Sequence, residues 1–542
     1  MRRNLRKWGV IGLGASLVLS NFAASATPLV ANAAPSDDRV VTLVGSLQSE
    51  IGCDEDWAPA CDESALQPTE VDGVWAADFE VPGGTWDYKV AFDKEWPDAF
   101  PGGDSNVPLV LEGPANLRFV YSEVDGSQKL GILPLDLAGA ATEADAALIN
   151  EPVRQAGSDE NFYFVMTDRF ANGDPSNDTG GIDGTRLDHG FDNTDKGFYH
   201  GGDIAGLRNN LEYIAGLGTS AIWLTPSFKN QAVQGEGADA SSGYHGYWIT
   251  DFTQIDPHLG TNEELEALIT EAHDLDMKVY FDIIVNHTAD VIYYEEGVYD
   301  YISQAEHPYR DAEGNVFNPT DLARSGASWP ALDPATSFPY TPLVEPGKED
   351  LKVPAWLNDV TLYHNRGDST WAGESDTYGD FQGLDDIMTE HPTVVQGFID
   401  VYQDWIDLGI DGFRIDTAKH VNFEFWQEWT TAILEHAHAN GKDEFFMFGE
   451  VYSSDQKFLS PYVRNSDMNS VLDFAFQDGA ASYAGGNSAQ ALAGLFAGDD
   501  YFTTADSSAS ALPTFLGNHD MGRIGYLLNS TSSPLERSEL AH

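Results

Sequence analysis

The chain has 542 residues, enough for several domains and a large core, and carries 87 acidic against 28 basic residues for a formal charge of −59. A field of that sign repels phosphate backbones and anionic lipid, which excludes nucleic acid and a membrane surface as partners but leaves a neutral polymer unpenalised. Aromatic residues make up 12%, with 13 Trp and 22 Tyr, a supply that suits stacking on sugars as well as ordinary cores.

In chain order, Arg2, Arg3, Arg6 and Lys7 precede an apolar run from Trp8 to Leu19, and Ala31-Asn32-Ala33 provides small residues for cleavage. This is the pattern of a secretory signal peptide over residues 1–33; it predicts a secreted, extracellular protein with no membrane attachment after cleavage. Cys53 and Cys61 are the two cysteines of the chain, and in an oxidising compartment such a close pair predicts a disulfide. Residues 34–134 contain VTLVGSL, GVWAADFEV, TWDYKVAF and LRFVYSE, apolar–polar alternations broken by PGG and DG turns, which predict a small antiparallel β-sandwich. Trp75, Trp86 and Trp96 fit either a platform for glucose rings or core packing. Residues 135–158, rich in Ala and acidic residues, read as a linker.

From Asn161 strands alternate with amphipathic helices. NFYFVMTDRF is followed by the helix GDIAGLRNNLEYIAGLG, TSAIWLTPS by NEELEALITEAHDLD, and MKVYFDIIVNH comes next, a rhythm that predicts parallel strands. Residues 288–390 are polar, rich in Pro and Gly and too long for an ordinary loop, which predicts an inserted subdomain. The rhythm resumes with HPTVVQGFIDVYQDWIDLG, DGFRIDTAKH, NFEFWQEWTTAILEHAHAN, EFFMFGEV, SVLDFAF and LPTFLGNHD. Seven barrel strands are counted before His542. The expected fold is α/β: a (β/α)₈ TIM barrel over 159–287 and 391–542, stopping before its eighth strand, with the subdomain inserted after strand three and the sandwich in front.

In DGFRIDTAKH, Phe413 and Ile415 fall on one parity and Arg414 and Asp416 on the other, as in a strand whose end projects polar groups into a site. Arg414 is expected to hold Asp416 ionised as a nucleophile. FDIIVNH, FMFGEV and FLGNHD likewise end apolar runs on a His, Asp or Glu. Parallel barrels gather such strand ends on one face, so His287, Asp416, Glu450 and Asp520 are expected to converge. Glu450 follows Phe446, Met447, Phe448 and Gly449, and apolar surroundings raise a carboxyl pKa toward proton donation.

The four stretches, in this order, resemble the motifs of the α-amylase family, glycoside hydrolase family thirteen. The sandwich resembles an accessory module found beside pullulanases. Together they are most similar to the amylase half of actinobacterial-type amylopullulanases. The resemblance implies Asp416 as nucleophile, Glu450 as acid/base and Asp520 as stabiliser of the charged transition state. It implies that His287 and His519 hydrogen-bond the sugar, that Tyr247 of GYHGYWITDF stacks on it with His245 and Trp248 lining the subsite, and that Lys419 and His420 stand on the leaving-group side. Two Ca²⁺ sites are implied: Asn286, Asp386 and the His420 backbone, and, in DRFANGDPSND with HGGD, Asn172, Asp174, Asn177, Asp178, Gly201 and Asp203. The expected activity is cleavage of internal α-1,4 bonds of a starch-type α-glucan, by a monomer. The alternatives are α-1,6 debranching, against which GYHGYW stands where dedicated pullulanases carry a YNWGYDP-type stretch, and a non-catalytic glucan-binding fragment.

Overall fold

The computed structural model of the chain describes residues 39–135 and 156–527, apart from 70–72, 104, 112, 124–127 and 504–506. The signal-peptide segment and most of the linker lie outside the described residues. No helix among the described residues is long and apolar enough to cross a membrane.

The N-terminal module consists of β1 (Val41–Gly45), β2 (Ala65–Pro68), β3 (Val74–Val81), β4 (Gly84–Phe92), β5 (Glu95–Phe100), β6 (Val107–Leu111), β7 (Ala115–Ser122) and β8 (Lys129–Pro134), all paired antiparallel. β2 pairs with both β1 and β3 and so links the sheet carrying β4 to the one carrying β7. Alternation puts Tyr88 and Phe92 of β4 against Phe119 and Tyr121 of β7, with rings 5.2 and 5.1 Å apart, and these contacts knit the two faces. Cys53 and Cys61 form a disulfide that pins the β1–β2 connection. Trp75 is buried against Tyr121 and Trp86 packs on the same core, while Trp96 is exposed. The three indoles therefore do not form one platform: alternation along β3 sends Trp75 inward.

The second body is a parallel wall of six strands, each beside its predecessor: β9 (Phe162–Val165), β10 (Ala221–Leu224), β11 (Lys278–Ile283), β12 (Gly412–Ile415), β13 (Phe446–Gly449) and β14 (Ser470–Val471). The connections carry α1 (Ile204–Arg208), α2 (Leu211–Ala215), α3 (Asn262–His273), α4 (Pro392–Leu408) and α5 (Phe423–Ala439), with α6 (Gln456–Arg464) after β13 and α7 (Phe474–Ala484) after β14. Thr261 and Glu264 form a capping box at α3, and His391 with Pro392 starts α4. The first predicted helix is instead the pair α1 and α2, interrupted at Asn209–Asn210. One side-chain parity of the strands packs outward on the helices; the other fills the barrel with Phe162, Trp223, Tyr280, Phe446 and Phe448.

The seventh predicted strand does not form. From Pro513 to His519 the chain runs without a ladder, joined near β14 by one backbone bond, Asp473 N to Pro513 O at 3.1 Å. Pro513 has no N–H to return, which limits pairing. The segment still lies along the inside, with the His519 ring stacked 4.7 Å from Phe164 of β9. The insertion leaves β11 and comes back to the same place: a two-residue ladder pairs His287 with Asp386 and Thr288 with Asp385.

Candidate active site

The interior parity builds the site in layers. Strand register places Asp282 of β11 beside Arg414 of β12, and Arg414 beside Phe448 of β13. One step further along, at the C-terminal ends, stand Asp416 and Glu450. Arg414 is fully buried, and its Nη1 donates to Asp282 Oδ1 at 2.8 Å and Asp416 Oδ1 at 2.6 Å. Its Nη2 lies 3.0 Å from Glu450 Oε2 as an ion pair. Asp520 is more exposed, and its charge acts on both Asp416 and Glu450. Asp416 and Glu450 thus meet on one guanidinium, and Asp520 lies near enough to act on both by charge.

One cation serving four carboxyl groups cannot neutralise them all, and burial raises every one. Asp282 is lifted to about 8 by burial, against Arg414. Asp416 is also raised by burial, with the charge and hydrogen bond of Arg414 opposing. The expected depression of Asp416 is therefore overturned: loss of water outweighs the single guanidinium it must share. Glu450 is raised by burial, against the charge of Arg414, and the charge of Asp416 acts in the same sense as burial. Both oxygens of Asp282 accept from donors, Arg414 and the Trp223 indole N–H at 3.0 Å, which favour its anion. Glu450, raised by burial, is thereby suited to carry a proton.

Thr417 shapes that position. It is a β-branched residue at φ 49°, ψ 30°, a left-handed conformation that costs energy, and from it the backbone N–H donates to Glu450 Oε2 at 3.1 Å.

The aromatic and imidazole groups gather on the same face. The Tyr247 hydroxyl donates to Asp282 Oδ2 at 3.2 Å and lies 2.7 Å from His519 Nε2, with the two rings parallel. Tyr247 reaches this place because Gly246, at φ +91°, crosses so close to Pro226 that a Cβ would sit 1.8 Å from its carbonyl oxygen. His245 stacks on Tyr247 and stands edge-on to Trp248. His287 stacks on Phe381 at 5.1 Å. Burial keeps these histidines neutral, lowering His245 to about 4 and His287 and His519 to about 3. His287 Nε2 and His519 Nδ1 are buried without hydrogen-bond partners. His420 Nδ1 bonds the Asp376 carbonyl at 2.6 Å, and Lys419 is half-buried beside it without a side-chain bond among the described residues. Asp282, Trp223, Phe381 and Trp371 join the site unannounced by the motifs. A polar Asp282 on the inward parity of an otherwise apolar strand was the available signal.

The candidate metal ligands divide. Asn172 Nδ2 donates to Asp178 Oδ1 at 2.7 Å, Asn177 Oδ1 is buried without a partner, and a Cβ on Gly201 would fall 2.6 Å from Asp178 Oδ1. These four form an oxygen-rich cradle that fits a hard cation. Asp203 instead caps α1 and accepts from Gly206 N, Gly173 N and Asp174 N, while Asp174 is turned outward onto Ser176 N. Asn286 and Asp386 are buried side by side, since Ile387 N bonds Asn286 O beside the His287–Asp386 pair. Asp386 Oδ2 is already taken by His364 Nδ1 at 2.6 Å; burial opposes the charge there, but Glu390 and Asp386 lift His364 to about 9. Asp376 adds a buried, unpartnered Oδ1 near His420. Among the described residues no three or more His, Cys, Asp or Glu side chains form a metal cage by themselves.

A parallel barrel whose strand ends present three carboxylates, a shared arginine and neutral histidines has the architecture of a TIM-barrel glycoside hydrolase. Residues 164–541 match the α-amylase catalytic domain, and this chain belongs to that family; residues 40–127 match the pullulanase X25 domain. The chain is 54% identical over 406 residues to an alpha-amylase of Streptomyces lividans, covering 74% of this chain and 44% of that one. To a cyclomaltodextrin glucanotransferase of Klebsiella oxytoca it is 29% identical over 383 residues, 69% of this chain and 51% of that one. Among solved structures it is similar to an Anoxybacillus alpha-amylase, with 30% identity, a TM-score of 0.51, and 72% of this chain and 68% of that one covered. The chain spans about half, or less, of the length of these two curated relatives.

Proposed function

We propose that the protein is a secreted, retaining glycoside hydrolase that cleaves internal α-1,4 bonds of starch-type glucans. The meeting of Asp416 and Glu450 on Arg414, with Asp520 bearing on both by charge, carries this reading. In the first step a carboxylate oxygen of Asp416 bonds to the anomeric carbon as the bond to the leaving oxygen breaks, and Glu450 gives its proton to that oxygen. Glu450, now a carboxylate, takes a proton from water; the hydroxide attacks the same carbon and frees Asp416. Asp416 and Glu450 share the Arg414 guanidinium, at 2.6 Å from Nη1 and 3.0 Å from Nη2, the close spacing that suits a retaining pair. Asp520, bearing on both, is suited to gripping sugar hydroxyls as positive charge grows on the ring. Neutral His287 and His519 keep a ring nitrogen free for hydroxyls, and Tyr247 offers its face to the sugar.

Calcium fits the cradle of Asn172, Asn177, Asp178 and Gly201, with a second position at Asn286, Asp386 and the His420 carbonyl, where it would tie the insertion to the barrel. The disulfide and the N-terminal leader pattern both support export. The similarity of residues 40–127 to a pullulanase module favours a second reading, α-1,6 cleavage. Incubation with amylose and with pullulan separates them: reducing ends from amylose with pullulan untouched support the first, and maltotriose from pullulan supports the second. Retention is read from the anomer first released.

A further inference from the structure

A cavity of about 370 Å³ lies between the N-terminal module and the barrel, and none of Asp416, Glu450 and Asp520 lines it. The module contributes Asp87 of β4 and Asn106 beside β6; the barrel side contributes Lys457, Pro461 and Arg464 of α6, and Tyr501. Arg464 is largely withdrawn from water, and its side chain makes one hydrogen bond, a long 3.4 Å contact from Nη1 to the Tyr501 carbonyl. Neither Arg464 nor Lys457 has a carboxylate within ion-pair distance among the described residues, in a protein with three times as many acids as bases. Guanidinium groups withdrawn from water are ordinarily paired, so a part-buried arginine with spare donors at a cavity wall is suited to a ligand.

The opposite hydrogen-bonding sense is present as well. Pro461 sits inside α6 and has no N–H, so the Lys457 carbonyl loses its usual helical partner four residues on. Asp87 supplies a carboxylate near Tyr501, whose hydroxyl it holds above the usual range after burial and Asp455 have done the same. Donors, acceptors and a flat ring converge, with the two cations facing the carboxylate of Asp87. A phosphate would meet the two cations but also the carboxylate of Asp87 and would leave the ring unused; a pyranose, with vicinal hydroxyls at its rim and an apolar face, answers donors, acceptor and ring together.

We propose that this cavity is a second glucan-binding site, taking a short α-1,4-linked glucose segment between the module and the barrel, separate from the catalytic cleft. The inference rests on the α-glucan reading above. Its role is to hold a polymer chain while the cleft works on it, which raises effective concentration for long substrates and does nothing for short ones.

The test uses the full chain carrying Glu450→Gln to prevent turnover. Calorimetric titration with maltoheptaose is expected to show two sites, and adding Arg464→Ala or Tyr501→Ala is expected to weaken one of them about tenfold or more while sparing the other. In the otherwise wild-type chain Arg464→Ala is expected to lower activity on granular starch and leave maltotriose hydrolysis unchanged; an unaltered melting temperature excludes misfolding, and Arg464→Lys is expected to recover part of the binding. A single maltoheptaose site, or two sites indifferent to both substitutions, overturns the proposal. So does stabilisation by inorganic phosphate that depends on Arg464 while maltoheptaose gives none. Starch hydrolysis by a chain with one binding site sinks this inference alone; Arg464-dependent binding in a chain that hydrolyses nothing sinks the catalytic reading alone.

Discussion

The backbone N–H of Thr417 reaches Glu450 Oε2 across 3.1 Å from a left-handed conformation that a β-branched side chain adopts at a cost. Strain in the turn after β12 is thus spent on fixing a carboxyl just past the end of β13. Thr417→Gly relieves the strain but frees the turn. The melting temperature is expected to hold or rise while kcat falls between about tenfold and about a hundredfold. Equal loss of stability and kcat would show Thr417 to be a packing residue.

Glu450→Gln removes the proton donor without changing shape. Hydrolysis of soluble starch is expected to drop by at least about 10³-fold with the melting temperature unchanged. Because Glu450 must carry its proton to act, and burial raises its pKa, wild-type activity is expected to persist at mildly acidic pH and fall as pH climbs through that raised value. A basic limb that survives in Asp520→Asn and moves in Thr417→Gly identifies Glu450 as the titrating group.

Arg414→Met withdraws the only guanidinium among the described residues that contacts Asp282, Asp416 and Glu450. Three crowded carboxyls without it are expected to cost about 3–5 kcal/mol of stability. Adding Asp282→Asn is expected to restore part of that in urea denaturation. Strict additivity of the two losses would contradict the shared-cation picture.

Stability is expected to be greatest at mildly acidic pH. Asp473, lifted to about 6 by burial, and Asp380, lifted to about 8 by burial, bind protons more tightly folded than unfolded. Their contribution is complete below the ordinary aspartate value and is lost as pH rises through 6 and then 8. Asp473→Asn keeps an acceptor for the Phe476 N–H at the start of α7 and is expected to flatten the first part of that decline in melting temperature. A melting temperature that climbs from pH 5 to 8 would refute the assignment.

Chelation with EDTA is expected to lower the melting temperature, and calcium to restore it, with a site held at about a hundred times its Kd contributing about 2.7 kcal/mol. Asn177→Ala, which deletes the partnerless buried oxygen, is expected to shrink the calcium-dependent shift. An identical shift in wild type and variant would move the ion elsewhere.

Period-two alternation made the inward face of each barrel strand readable, and this is why Arg414, Asp416 and Glu450 could be brought together from letters alone. The same rule placed the sandwich strands carrying Tyr88 and Tyr121. It failed where the outcome depends on balance among neighbours. The sign of the shift at Asp416 follows from how many acids share Arg414, and Asp282 enters that count only through strand register. The segment from Pro513 looked like a strand by composition, but a ladder needs donors and a partner as well as apolar residues. Trp75 carried no mark that separates a core indole from a sugar-facing one; its parity on β3 decides. Asp203 resembled a cation ligand, yet three backbone N–H groups converge on it at the start of α1.

The ladder that joins His287 to Asp386 gives the insertion the character of an exchangeable cassette. Its departure and return points are neighbours, so lengthening what lies between adds only a logarithmic closure entropy and leaves strand order untouched. Evolution or an engineer can therefore rebuild the roof over the cleft wholesale, provided those two doorposts stay where they are.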